Sequence, residues 1–222
     1  MSVWAVIPLK SPESAKSRLS GVLSAQQRLR LFYTLAHRVI DAAMHTPGIV
    51  GVTVVTASDA VVKFSADLGA QCLRLVSDRG TAEACSRGLD SLSRHRDAGV
   101  LFVAGDLPLI SPNALTTFVA LAEQRPLVAI AGDRLRFGTN ALLCAPGGAI
   151  PLCFGDGSFA KHSAAAARLG VATHIIESAP LALDIDEPDD LQEWHRHLVS
   201  SNQAIDTELH DLFAAQEVAL NQ

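Results

Sequence analysis

Val100-Leu101-Phe102-Val103-Ala104 runs apolar without alternation, and Gly105-Asp106-Leu107-Pro108 breaks it. A short unbroken apolar run reads as a strand buried on both faces, as in a parallel sheet covered by helices. Ligands of such sheets bind just beyond the carboxyl ends of the strands. Asp106 sits at that end. Gly105 lets a ligand approach the backbone, and Pro108 stops the strand. A carboxylate placed there can hold a hard cation over a phosphate. It can equally cap the following turn, and this stretch alone leaves both roles open.

The rest of the chain repeats the pattern. Val3–Pro8 is a first strand. Ser24-Ala25-Gln26-Gln27 is a capping box that opens a helix with Leu29, Phe32, Ala36, Val39, Ile40 and Ala43 at helical spacing. Thr46-Pro47-Gly48 ends it. Val50–Thr56 is a second strand, Ser58 opens a short helix closing near Gly69, and Gln71–Val76 is a third strand. This βαβαβ alternation implies right-handed crossovers and an α/β fold, with a mostly parallel central sheet flanked by helices. A helix of about four turns follows Thr81, and Ser111-Pro112 starts another. Leu127–Ala131 is a buried strand. After a polar stretch, Gly138-Thr139-Asn140 leads into the apolar run Ala141–Cys144. Ser158 is expected to cap a helix through Ala167, and Val171–Ile176 is a further strand.

Composition narrows the partners. The 222 residues are 49% hydrophobic and 18% charged, which supplies a large core and argues against long disorder. A net charge of −5 without a basic stripe speaks against nucleic acid. The four cysteines show no C-x-x-C spacing and read as reduced thiols. Lys10 ends the first apolar stretch early and no basic region precedes it, so neither a signal peptide nor a membrane span is expected, and the chain reads as cytoplasmic. Residues 1–199 read as one domain. Residues 200–222, with Ile205, Leu209, Leu212, Phe213 and Leu220, read as an amphipathic helical appendage that packs on its own domain or on a second subunit, which leaves a homodimer open.

Four places carry candidate chemistry. The loop after the first strand holds Lys10, Lys16 and Arg18. A solvated loop would look similar, but this one leaves the sheet on the Asp106 side, where three cations can clamp a triphosphate. Ser77-Asp78-Arg79-Gly80-Thr81 joins a strand to a helix and can seat a base or phosphate, although helix starts commonly look this way. Phe154-Gly155-Asp156-Gly157-Ser158 offers backbone N–H groups and a helix dipole to an anion, or is a simple cap. Leu183-Asp184-Ile185-Asp186 alternates strictly, so an extended chain points Leu183 and Ile185 inward and Asp184 and Asp186 together outward. Two such carboxylates repel unless a cation lies between them, which supports a metal better than Asp106 alone does.

Taken together, Ile7-Pro8-Leu9-Lys10 with Ala15-Lys16-Ser17-Arg18-Leu19, Gly105-Asp106-Leu107-Pro108, Phe137-Gly138-Thr139-Asn140-Ala141-Leu142, and Phe154-Gly155 with Ser158 and His162 resemble a family. It is that of the guanylyltransferases of coenzyme F-420 biosynthesis, which act on 2-phospho-L-lactate, phosphoenolpyruvate or 3-phospho-D-glycerate. The likeness runs from about Val3 to Leu191. Asp184-Ile185-Asp186-Glu187-Pro188 matches nucleotidyltransferases more widely. The resemblance implies a GT-A-like, Rossmann-like nucleotidyltransferase fold and Mg²⁺-dependent transfer of GMP from GTP. It implies Asp106, Asp184 and Asp186 as metal ligands, and Lys10, Lys16 and Arg18 on the GTP phosphates. Asp78 and Gly80 would serve the nucleotide, and Lys16 and Asp106 would carry the catalytic charges. Thr139, Gly155 and Ser158 would hold the phospho-acid, and a downstream transferase would take the product. Relatives usually read Gly-Leu-Asn-x-Ala where this chain reads Gly80-Thr81-Ala82-Glu83-Ala84, so one side-chain amide is missing.

The chemistry agrees. A phosphate monoester, with a second pKa near about 6, is already largely a dianion at neutral pH and needs no general base. The task is positioning and charge neutralisation, and no Ser-His-Asp arrangement is expected. Rival readings are a molybdopterin or sugar-phosphate nucleotidyltransferase and a non-catalytic nucleotide-binding subunit. The first usually opens with a Leu-Ala-Gly-Gly loop, which Val6-Ile7-Pro8-Leu9-Lys10 lacks. The second has no need of three metal-type carboxylates.

Overall fold

Seven strands join in one sheet: β1 (Val3–Pro8), β2 (Ile49–Thr56), β3 (Gln71–Arg74), β4 (Gly99–Val103), β5 (Leu127–Gly132), β6 (Thr139–Ala145) and β7 (Ala172–Ile175). The computed structural model describes residues 2–95, 97–201, 209 and 211–214. The strands lie in the order β3-β2-β1-β4-β6-β5-β7. β1 pairs in parallel with β2 and β4, β2 with β3, and β5 with β7. β6 alone runs the other way, antiparallel to both β4 and β5. It therefore starts at the edge where the other strands end.

The unbroken apolar runs are explained by two covered faces. Every residue of β4 and β6 is buried. Val3, Ala5 and Ile7 of β1 pack with Phe32, Ala36 and Val39 of α1 (Ala25–Met44), Val61 of α2 (Asp59–Asp67) and Leu115 and Phe118 of α4 (Pro112–Leu121). Val6 faces the opposite side, with Ala84 and Cys85 of α3 (Thr81–Ser91) and Ala165 and Ala166 of α5 (Ser158–Leu169).

α1 begins at the expected capping box. Ser24 Oγ accepts from the Gln27 backbone N–H at 3.3 Å, and the Ser24 N–H donates to Gln27 Oε1 at 2.9 Å. The helix buries two stripes. While Phe32 and Ala36 meet the sheet, Leu31 and Leu35 face a third cluster with Leu19, Leu183 and Ile185. Leu191 and Trp194 of α7 (Pro188–Ser200) complete that cluster. Burying one such leucine contributes about 1.5–3 kcal/mol, so this cluster anchors the segment carrying Asp184 and Asp186. Leu209, Leu212 and Phe213 belong to it, with the Phe213 ring 5.4 Å from that of Trp194 and edge-on. These described residues of the tail thus pack on their own chain. Ile205 and Leu220 lie outside the described residues, as does most of the stretch expected as an appendage.

Several expectations are corrected. β3 ends at Arg74, two residues short of Val76, because the chain leaves the edge of the sheet there. α3 has 11 residues, about three turns, and a short 3₁₀ turn at Ser93–His95 completes the stretch. Ser158 is not the cap of α5. Gly157 holds that position in the left-handed region, at φ 65°, and the helix continues to Leu169. Leu183 is extended, at φ −95° and ψ 112°, but Leu183–Asp186 joins no sheet; it links α6 (Ala179–Ala182) to α7. Its inward residues are buried as alternation requires, Leu183 at 3% exposure and Ile185 at 0%. Among the described residues, no helix is long and apolar enough to cross a membrane.

Candidate active site

The strand ends open into a cavity of about 620 Å³. All eleven residues singled out from the sequence line it. Lys10, Lys16 and Arg18 come from the loop after β1, Asp78 and Gly80 from the turn before α3, and Asp106 from beyond β4. Thr139 opens β6, Gly155 and Ser158 form the turn into α5, and Asp184 and Asp186 come from the segment before α7. The antiparallel β6 brings its first residues to this edge, which a parallel strand would not do.

At the centre is an ion cluster. Lys16 Nζ lies 2.6 Å from Asp106 Oδ2 and 3.4 Å from Asp186 Oδ1, and its side chain is only 6% exposed. Lys16 takes the left-handed backbone at φ 56°, a strained conformation for a non-glycine residue, in the turn that places this ammonium. Burial alone would lower its pKa, but Asp106 and Asp186 outweigh burial and raise it. Asp184 is the opposite case. Burial first, and then the Asp106 charge, push its carboxyl up to about 7, with a smaller push from Asp186. The Asn140 amide opposes this by donating to Asp184 Oδ1 at 3.2 Å, while also donating to the Leu181 carbonyl at 3.0 Å.

The three carboxylates do not form a ready metal cage at strand ends. Among the described residues, no group of three His, Cys, Asp or Glu side chains is arranged to hold a metal ion. The Lys16 ammonium bridges two of the expected ligands, and Asp184 and Asp186 lie on no strand. Lys16 itself faces carboxylates. Arg18 is exposed at the rim, where its Nη1 lies 3.5 Å from Glu187 Oε1.

The glycines serve packing as much as ligand approach. A Cβ on Gly105 would lie 2.2 Å from Leu9 Cδ2, so this glycine lets the β1 loop close against the end of β4. Gly80 adopts φ 94°, and its N–H donates to Asp78 Oδ1 at 2.9 Å, which occupies one oxygen of a residue expected to serve the nucleotide. Gly80, Thr81 and Ala84 line the cavity. Ala82, the departure from the family pattern, is not among the lining residues.

On the far wall, Thr139 Oγ1 is 3.1 Å from His162 Nδ1, and His162 Nε2 is 2.9 Å from the backbone nitrogen of Cys153. Ser158 is 2% exposed. Two N–H groups at the start of α5 are already used, Ser158 toward the Gly155 carbonyl and Phe159 toward the Phe137 carbonyl. An anion at this helix start therefore meets fewer free donors than the bare turn suggested.

Two site residues escaped the sequence reading. Asn140 is buried and braces Asp184; it stands in the Phe137–Leu142 motif and at the head of an apolar run, but neither gives it a role. Asp133 accepts the N–H groups of Leu135 and Phe137 on Oδ1, at 3.0 and 2.9 Å, and that of Gly138 on Oδ2, at 2.6 Å. It folds the loop that turns β5 into β6, and Asp133, Phe137 and Gly138 all line the cavity.

The chain is similar to known proteins over most of its length. Residues 3–204 match the family described as "Guanylyl transferase CofC like". A phosphoenolpyruvate guanylyltransferase of Rubrobacter xylanophilus is 38% identical over 191 residues, covering 86% of this chain and 92% of that protein. A 2-phospho-L-lactate guanylyltransferase of Methanosphaerula palustris is 29% identical, covering 92% and 90%. Among solved structures, a putative nucleotide-diphospho-sugar transferase from Desulfovibrio desulfuricans superposes with a TM-score of 0.75 at 14% identity, covering 100% of this chain and 98% of that one. A nucleotidyl transferase from Methanothermobacter has a TM-score of 0.61 at 17% identity, covering 90% and 99%. These structural likenesses bear on the fold, which is the nucleotidyltransferase α/β fold expected. On the family match and the identity to its curated relatives, the chain belongs to the CofC-like guanylyl transferase family.

Proposed function

We propose that the chain transfers GMP from GTP to the phosphate of a three-carbon phospho-acid, releasing pyrophosphate, as a step of coenzyme F-420 biosynthesis. The acceptor is phosphoenolpyruvate, 2-phospho-L-lactate or 3-phospho-D-glycerate. One observation carries the reading. A single cavity joins a cationic loop, a cluster of three carboxylates with a lysine, and a hydroxyl-bearing wall. A phosphate oxygen of the acid attacks the α-phosphorus of GTP, the bond from that phosphorus to the bridging oxygen breaks, and pyrophosphate leaves.

Lys10, Lys16 and Arg18 balance the phosphate charge, Asp78 and Gly80 support the nucleotide, and Thr139, Gly155 and Ser158 hold the acid. Mg²⁺ suits this donor set. The ion typically takes one or two carboxylates and completes its shell with water and substrate phosphates, so an all-protein cage is not required. Burial and then the neighbouring Asp106 charge raise Asp184 to about 7, and a divalent cation among these carboxylates would offset both. Asp106, Asp184 and Asp186 would hold it. When bound, it neutralises charge on the phosphates and the leaving group.

The test is to incubate protein, GTP and Mg²⁺ with each acid in turn, add pyrophosphatase, and follow phosphate release with mass analysis of the product. One acid should give a guanosine diphosphate adduct. No release with any acid overturns the reading, and equal use of ATP or CTP overturns its guanine part.

A further inference from the structure

His162 lies fully buried on α5, with its ring edge-on to Phe154 at a centroid distance of 4.9 Å. Both of its nitrogens are engaged, Nδ1 with Thr139 Oγ1 at 3.1 Å and Nε2 with the Cys153 backbone nitrogen at 2.9 Å. The second contact decides the first. A backbone N–H can only donate, so Nε2 must present its lone pair. A neutral imidazole with a lone pair on Nε2 carries its proton on Nδ1. Nδ1–H therefore donates to Thr139 Oγ1 and fills one of the two lone pairs of that hydroxyl. The Thr139 proton cannot also point at the ring. Thr139 lines the cavity, so that proton is left for the cavity side.

We propose that His162 is a positioning residue that fixes Thr139 as a hydrogen-bond donor into the cavity, so that this wall takes an anionic oxygen of the acceptor acid. The inference rests on reading this half of the cavity as the acceptor side. Burial lowers the His162 pKa to about 4, which keeps the ring neutral and the direction of the bond constant at neutral pH. A backbone amide sets the tautomer, the tautomer sets the hydroxyl, and the hydroxyl sets the sign of what it can bind. A histidine that only filled the core would have none of these effects on the ligand.

The test has two parts. In histidine-labelled ligand-free protein, the ¹⁵N resonances of His162 should show Nδ1 protonated and Nε2 unprotonated at neutral pH. The opposite tautomer or an imidazolium overturns the proposal. Phosphoenolpyruvate, 2-phospho-L-lactate and 3-phospho-D-glycerate are then added in turn. At least one should shift the Nδ1 resonance, and Thr139→Val should abolish the shift. If none moves it, the assignment of the wall to an anionic oxygen fails, although GMP transfer measured separately would still support the enzyme reading. If an acid moves it and no GMP transfer occurs, the catalytic reading falls and the positioning role stands.

The second part uses variants in the active protein. His162→Asn keeps a side-chain N–H near Nδ1, and His162→Gln keeps an acceptor for Cys153 in place of Nε2. His162→Gln should raise KM for the acid about tenfold and spare KM for GTP, as loss of one hydrogen bond does. His162→Asn should restore most of that loss. Thr139→Val added to His162→Gln should cost little more. A purely structural histidine would move both KM values together and show no rescue by Asn, and that result overturns the proposal.

Discussion

Lys16 Nζ lies 2.6 Å from Asp106 Oδ2, although 90 residues of sequence separate the two. The contact ties the loop leaving β1 to the end of its neighbour β4, and it sits in a nearly dry setting, with side-chain exposures of 6% and 26%. A buried ammonium bridging Asp106 and Asp186 holds these two carboxylates together at the edge of the cavity.

Lys16→Met should therefore act on stability and on nucleotide binding. Removing one partner of a buried pair leaves the other charge uncompensated, which costs about 3–5 kcal/mol when fully dry and less here, because Asp106 and Asp186 reach solvent; about 1–3 kcal/mol is expected. Thermal unfolding measures this. Calorimetry should also show that GTP loses more affinity than guanosine, since the lysine is proposed to balance phosphate charge. Unchanged stability with equal losses for both ligands would count against both roles.

Asp106→Asn should lower kcat by orders of magnitude, because an amide keeps the shape and loses the charge that faces Lys16 and that is proposed to hold Mg²⁺. Chelation of divalent ions should abolish wild-type turnover, and added Mg²⁺ should restore it. Near wild-type turnover in a folded Asp106→Asn protein would remove Asp106 from the mechanism.

Asp184→Asn should stabilise the ligand-free protein while abolishing activity. The native carboxyl titrates at about 7 and the unfolded one near 3.8. The native state thus holds a proton that the unfolded chain releases between those values. The contribution of Asp184 to stability is fully present below pH 4 and is lost as pH rises through 7. The variant should exceed the wild type by about 2 kcal/mol at pH 8, after a discount for solvent screening, and the gap should close toward pH 4. Urea titrations across this range measure it, and a gap independent of pH would refute the cause given.

Asp133→Ala should loosen the loop between β5 and β6, because the N–H groups of Leu135, Phe137 and Gly138 lose their acceptor together. A cost of about 1–3 kcal/mol is expected, along with a higher KM for the acid and an unchanged KM for GTP. Steady-state kinetics with each substrate varied in turn would expose the opposite pattern.

Much of this was legible in the sequence for physical reasons. Val100–Val103 and Leu127–Ala131 declare strands because two covered faces leave no place for polar alternation. Ser24 and Gln27 declare the start of α1 because both partners of the capping box are local. Asp106 and the Lys10–Arg18 loop could be placed in one cavity because parallel strands share an end. What escaped depends on distant partners. The run Ala141–Cys144 carries no mark of its direction, so the antiparallel sense of β6 was hidden. Asp184 and Asp186 alternate like a strand, yet the segment joins no ladder; the Ile185 N–H donates to the Asp106 carbonyl at 3.2 Å. Asn140 shows no purpose until the fold brings Asp184 beside it. Ser158 loses the capping position because Gly157 takes the left-handed turn more easily.

The reversed direction of β6 has a consequence for how such a chain can diversify. The β1 loop, the turn before α3 and Asp106 all precede residue 107, and they hang from β1 to β4, whose order and spacing are set by crossover helices. Thr139 and Asn140 instead sit at the end of a hairpin whose tip, residues 133–138, is tied internally by one aspartate. Side chains at a hairpin tip can change without altering the register of the strands behind it, because turn type and loop length hold that register. On the proposed assignment of this wall to the acceptor, its preference can drift through the side chains of this tip while the proposed nucleotide half stays fixed, and hairpins exchanged between relatives should transfer it.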